Sequence, residues 1–330
     1  MNRVYPFLLS VSALLSACGG GGSKPVAPTQ PPVVGDPPLV LSTTNAKPAM
    51  QIAYGSTMQS METGSLVGDS GIASTSSGDF QKASTQRSMS ELLTRALQKD
   101  PLGPDTFDCG VSGTTTISGE IANILLGFTP GDTINVDAVD CDDGLGEVVN
   151  GRMEMTVVTF ATDPLLGTYL LEMDVQLIDF EVVTATDTIV SNGDSRVSMD
   201  TNGTPLIVIS ISGLSMATVS MASTEIVSDF MTSQTVDTMA AAGSEPYTLS
   251  ASGTINSTQL AGEIDYTSPV TFQGVGAAYP FAGQLLVTGA NNGTVRLIAL
   301  DEINVRIETD TNGDGTLESS EVTTWDDIAQ

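Results

Sequence analysis

From Cys109 onward, apolar and polar residues alternate in runs rich in Val, Ile, Leu and Thr. Successive side chains of a strand point to opposite faces, so a period of two predicts half-buried β-strands. In the run 169–175, Leu170, Glu172 and Asp174 fall on one face and Leu171, Met173 and Val175 on the other, which leaves one face wet. Comparable runs occupy 114–118, 133–139, 153–160, 169–184, 188–199, 206–212, 224–230, 247–255, 260–266, 270–272, 284–288, 294–300 and 303–309. Asn150-Gly151, Asn192-Gly193, Asn202-Gly203 and Asn292-Gly293 carry residues that tolerate positive φ, and they read as hairpin turns. The fold class is therefore mainly β: an antiparallel meander forming a curved sheet, a sandwich or an open barrel. Two blocks, 109–212 and 246–309, look loosely alike. The Met-rich stretch between them, around Met216 and Met239, reads as loop and core filling, or else as the lining of an adaptable cavity.

The pattern changes upstream. Ser88 and Glu91 have capping-box spacing, and Met89, Leu92, Leu93, Ala96 and Leu97 share one helical face before Pro101. One short helix over 89–99 is expected, within a polar segment, 49–108, that is otherwise irregular. Residues 18–48 begin with Gly19-Gly20-Gly21-Gly22-Ser23 and continue through Pro25, Pro28, Pro31, Pro32, Pro37 and Pro38. Such a composition builds a tether, flexible first and then extended.

Residues 1–17 carry one positive charge at Arg3 and an apolar run too short to span a bilayer, which is the form of a secretory signal. The run ends in Leu15-Ser16-Ala17-Cys18. It resembles the lipobox of bacterial lipoproteins, and the resemblance implies that Cys18 becomes a lipidated N-terminus. Gly19 follows where an Asp would retain such a protein at the inner membrane, so the resemblance implies an outer-membrane anchor, with the domain facing the periplasm or the cell exterior. Several acyl chains together give stable anchoring. Cys109 and Cys141 remain for an oxidising compartment, and a disulfide between them is expected. Cys-x-x-Cys spacing and basic neighbours, which would mark a redox pair, are absent from the sequence.

Charge narrows the chemistry further. The chain has 39 acidic residues, 11 Lys and Arg and no His, a formal charge of −28. Nucleic acid and anionic head groups are poor partners for such a surface. Without His, neither a Ser-His-Asp nor a Cys-His nucleophile can be assembled. All four lysines precede residue 100, and Arg152, Arg196, Arg296 and Arg306 are the cations of the β region. A paired-carboxylate hydrolase remains open, although no pair of acids stands out.

One motif carries specific chemistry. Asp310-Thr311-Asn312-Gly313-Asp314-Gly315-Thr316-Leu317-Glu318-Ser319-Ser320-Glu321 meets every position of the twelve-residue EF-hand calcium loop and resembles it closely. The resemblance implies Ca2+ ligands from Asp310, Asn312, Asp314, the Thr316 carbonyl, Glu318 directly or through water, and a bidentate Glu321. The incoming segment 303–308 alternates as a strand does, so strand, loop and a short exiting helix over 320–328 are expected. A lone hand of this kind suits a structural site better than a sensor. A second acidic run, Asp137, Asp140, Asp142, Asp143 and Glu147, reads as a solvated hairpin tip, with a second cation as the alternative. Taken together, the layout resembles uncharacterised proteobacterial lipoproteins. The expectation is a non-enzymatic, calcium-binding structural or binding module held at the outer membrane, with a protein or an apolar small molecule as partner. A carrier of an apolar ligand in a curved sheet is the alternative.

Overall fold

The computed structural model describes residues 36–65 and 104–329, apart from short loop pieces at 121, 123–127, 143, 145, 164–167, 186–187, 203–205, 221–222, 238, 242 and 277. Cys18, residues 1–35 and the helix expected over 89–99 lie outside the described residues.

Among the described residues, fourteen strands form one sheet in strict sequence order, each antiparallel to the next. The first half comprises β1 (Asp105–Asp108), β2 (Ser112–Glu120), β3 (Thr133–Asp142), β4 (Val148–Asp163), β5 (Thr168–Val183), β6 (Thr188–Asp200) and β7 (Leu206–Val219). The second comprises β8 (Thr224–Asp237), β9 (Pro246–Ser257), β10 (Ile264–Val275), β11 (Ala282–Thr288), β12 (Thr294–Ala299), β13 (Asn304–Asp310) and β14 (Ser319–Thr324). Helix α1 (Ala46–Ser65) precedes the sheet and α2 (Trp325–Ile328) ends it. At about 3.3 Å per residue, the 16-residue β4 and β5 run roughly 50 Å and the six-residue β12 roughly 20 Å, so the sheet tapers toward its C-terminal edge.

The alternation read from the sequence becomes one apolar face. Ile117, Val136, Met153, Leu177, Gly193, Met216, Val227, Ile255 and Ile264 stand opposite one another in successive ladders and form a buried row from β2 to β10. Leu285, Leu297 and Ile307 make a corresponding row across β11, β12 and β13. The other face is polar. Across it Arg152 forks onto Asp137 (2.7 and 3.2 Å) and Arg196 onto Asp174 (2.7 and 2.9 Å), while Arg306 and Arg296 reach Glu308 at 2.9 and 3.9 Å. Pairs this exposed add about 0–1 kcal/mol each, so burial of the apolar face carries the fold. A bilayer-spanning barrel has the opposite polarity, apolar outside and polar within.

Helix α1 lies on the apolar face, against β7, β8, β9, β11 and β12. Residues 52–57 are buried one after another, so the sheet curls around the helix rather than merely flanking it. That environment explains why a segment expected to be irregular is helical. A stretch such as 52–57, buried at every position, has no amphipathic period to display. Among the buried residues 52–57 the polar ones are small, Ser56 and Thr57, and the Thr57 hydroxyl donates to the Ala53 carbonyl within the helix (2.9 Å). The expected tether is also shorter than 18–48, since Leu39 and Leu41 are buried and belong to the core.

Two of the four Asn-Gly pairs do not turn the chain. Asn150-Gly151 lies inside β4 and Asn192-Gly193 inside β6, where each sits beside a β-bulge of a neighbouring strand. The bulges place Asp140, Asp179 and Asp229 in the left-handed region (φ 48°, 45° and 47°), each followed by a buried residue, Cys141, Phe180 or Phe230. The side-chain oxygen of Asn150 accepts from the Asp140 amide and that of Asn192 from the Asp179 amide, both at 2.7 Å. Gly151 has φ 98°, and a side chain there would overlap the Asp179 carbonyl. The extra residue of each bulge shifts the inward period by one and bends its strand, which curves the sheet. Asn202-Gly203 runs into undescribed residues, and Asn292-Gly293 lies at the β11–β12 turn, as expected. The Met-rich stretch is part of β7, β8 and their connections. Met216 faces the core while Met231 and Met239 are exposed, so these three do not line one cavity.

Candidate metal site

β13 and β14 are neighbours in the sheet, and the segment joining them is the loop singled out in the sequence. Asp310, the last residue of β13, is buried, and its carboxylate organises the loop. One oxygen accepts the amides of Asn312 (3.3 Å) and Gly313 (2.7 Å), and the other accepts that of Gly315 (2.8 Å). Asn312 Oδ1 takes the Asp314 amide at 2.8 Å, and Asp314 Oδ1 takes the Thr316 amide at 2.7 Å. The Thr316 amide and hydroxyl, helped by Asn312, hold the Asp314 carboxyl below its ordinary range. Gly313 and Gly315 have φ 71° and 85°, which lets the chain wind tightly around the Asp310 oxygens.

Glu318 closes the loop. Its amide donates to the Thr309 carbonyl at 2.9 Å, continuing the ladder. Its carboxylate folds back to accept from the Thr311 amide (2.6 Å) and the Asn312 side-chain amide (3.3 Å). One carboxylate oxygen from each of Asp310, Asp314 and Glu318 therefore lies within 4.8 Å of the other two. Three acids and a neighbouring amide oxygen offer hard oxygen donors, a set that suits Ca2+, Mg2+ or Mn2+ and lacks the thiolate and imidazole that favour zinc or copper.

Glu321 stands outside this group. The expected exiting helix is replaced by β14, with α2 reduced to its end. In an EF-hand the helix swings position twelve back over the ion, whereas a strand carries it away. Glu321 is paired with Ile307 in the ladder and is exposed. It continues the apolar row of Leu285, Leu297 and Ile307 as a charge on an edge strand, a device that discourages edge-to-edge pairing. The signal for this was legible, because Val322, Thr323 and Thr324 are β-branched in succession and favour a strand.

The remaining expected site residues separate into structural roles. Cys109 and Cys141 are disulfide-bonded with Cα atoms 5.3 Å apart, tying the chain before β2 to the end of β3 in a buried setting. Among the described residues, the acidic run around Cys141 does not converge. Asp137 is committed to Arg152, Asp140 occupies its bulge, and Asp142 caps the Gly144 amide at 2.7 Å, while Asp143 is outside the described residues. Among the described residues, Asp310, Asp314 and Glu318 are the acids whose ligand atoms come together. Comparison of the chain with protein families, with curated proteins and with solved structures returned no match.

Proposed function

We propose that this chain is a lipid-anchored protein of the bacterial outer membrane whose β domain is a non-catalytic structural or binding module that holds one Ca2+ in the β13–β14 loop. The observation that carries the ion is the convergence of Asp310, Asp314 and Glu318 on a sequence with EF-hand spacing. The amide oxygen of Asn312 and the carbonyl of Thr316 complete the proposed ligand set, with Glu318 taking the closing place that Glu321 holds in the family pattern. An ion at this position ties the C-terminal edge of the sheet and offsets part of the net charge of −28. The anchor rests on the lipobox at Cys18 and on the Gly- and Pro-rich composition that follows it.

The alternative carrier reading draws no support from the apolar face, where α1 lies against five strands. Titration calorimetry of calcium into chelator-stripped protein tests the ion site. One saturable site, abolished by Asp310→Ala, supports it, and no binding at several millimolar refutes it. Intact mass of the membrane-extracted protein tests the anchor. A diacylated mature N-terminus at Cys18, lost in Cys18→Ser, is the expected result, and an unmodified soluble product of the native sequence contradicts it.

A further inference from the structure

The segment 36–41 crosses the end of the sheet at which β9–β10, β11–β12 and β13–β14 turn. The Leu39 amide donates to the Glu263 carbonyl (2.8 Å), the Glu263 amide to the Pro37 carbonyl (3.1 Å), and the Ala290 amide to the Leu39 carbonyl (2.7 Å). Leu39 and Leu41 are buried while Val40 between them is 62% exposed, so the strap seats as a strand does. It lies so close to the β11–β12 turn that a methyl group on Gly289 would overlap the Leu39 carbonyl and stand 2.9 Å from Leu41 Cγ. The far side of the same turn touches the β13–β14 loop. A methyl group on Gly313 would stand 2.7 Å from the Asn292 carbonyl oxygen and 2.8 Å from Asn292 Cβ. Between these two contacts the turn holds Asn291 and Asn292 in the left-handed region, at φ 57° and 58°. Non-glycine residues keep such angles where their surroundings over-determine them. Here the surroundings are the strap on one side and the loop on the other.

We propose that the strap and the 310–318 loop are the two ends of one latch, coupled through the β11–β12 turn, so that docking of the strap and ordering of the loop favour each other. The coupling itself is a property of the backbone contacts. Its trigger rests on the proposed calcium site: an ion that orders the loop also fixes the strap. By reciprocity, loosening the strap weakens the ion by the same factor.

Hydrogen exchange of the full chain, read by mass spectrometry, tests the latch without metal and then with it. In chelator-stripped Leu39→Ala, the amides of Gly313 and Gly315 are expected to exchange about fivefold faster or more, the lower end of ordinary coupling. Gly289→Ala acts on the same contact from the turn, and it serves where Leu39→Ala loses its far-ultraviolet circular dichroism. Val40→Ala, at the exposed position, is expected to change neither segment. Adding calcium to the unsubstituted protein is expected to slow exchange at the Leu39 amide. Loop exchange unchanged in a folded strap or turn variant overturns the latch, whatever calcium does. Coupled exchange in metal-free protein that does not bind calcium upholds the latch and refutes the ion reading alone.

Discussion

Trp325, the single tryptophan of the chain, is fully buried and joins four parts of the fold. Its ring lies 5.1 Å from Tyr54 of α1 and 6.0 Å from Phe272 of β10, and it stacks at 5.6 Å on Tyr279 of the β10–β11 turn. Its indole N–H donates to the Pro280 carbonyl (3.1 Å) and the Asp301 carbonyl (3.0 Å), pinning the β10–β11 and β12–β13 turns together. Trp325→Ala removes the whole ring from a site bounded by three aromatics, and core truncations of this size cost about 3–5 kcal/mol. Trp325→Phe retains most of the apolar contact and leaves the two carbonyls without their donor, a loss of about 1–2 kcal/mol. Urea unfolding followed by far-ultraviolet circular dichroism measures both. In the parent, tryptophan emission is expected to report the same transition, because the ring belongs to the common core. An Ala variant within about 1 kcal/mol of the parent would refute the view that α2 and α1 are locked by this residue. A Phe variant as unstable as Ala would place the stabilisation in the hydrogen bonds instead.

Three further outcomes are expected. Cys109→Ser with Cys141→Ser releases a cross-link spanning 32 positions and costs about 3–4 kcal/mol by loop-closure entropy, read as a shift in the urea midpoint. A folded double variant with an unchanged midpoint would contradict it. Gly151→Ala forces a side chain into a φ of 98° against the Asp179 backbone, so a loss of about 1–3 kcal/mol is expected, while Ala in place of the exposed Val40 is near neutral. The Thr323 hydroxyl, and after it the Lys47 ammonium, hold the Asp327 carboxyl below its ordinary range. A depressed folded value means that this contribution is present in full above the unfolded value near ~3.9 and is lost as pH falls through the lowered folded one. A small loss of stability is therefore expected as pH falls below about 4, read as a lower urea midpoint, and in Thr323→Val this pH-dependent loss is smaller. Identical acid profiles for the two proteins would remove Asp327 from the account.

The strands were legible because the protein uses one rule throughout, an apolar face and a polar face in strict alternation. The same rule misled where it was interrupted. A bulge inserts one residue and reverses the phase, so 224–230 read as ending where β8 continues through Asp229 and Phe230 to Asp237. The repeated pairs Asp179-Phe180 and Asp229-Phe230, each an exposed acid before a buried ring, mark the bulges in the sequence. The apparent division into two blocks dissolves for the same reason, since β7 and β8 run through the boundary. Helix α1 could not be found from periodicity, because the consecutive burial of 52–57 removes the contrast between faces there. At the candidate site, the ligands local to the turn followed from spacing alone. Glu321 did not, because its place depends on whether the chain leaves the loop as helix or strand, and that is decided by the ladder with β13.

Calcium affinity of Glu318→Gln compared with Glu321→Gln measures the central claim most directly. In the proposed site Glu318 closes the loop, so its variant is expected to lose about tenfold or more in affinity, roughly 1.4 kcal/mol, while Glu321→Gln stays within about twofold of the parent. Loss in Glu321→Gln with Glu318→Gln unaffected would contradict the hairpin geometry and restore the closure of a helical hand, and a parent that binds no calcium would remove the ion altogether.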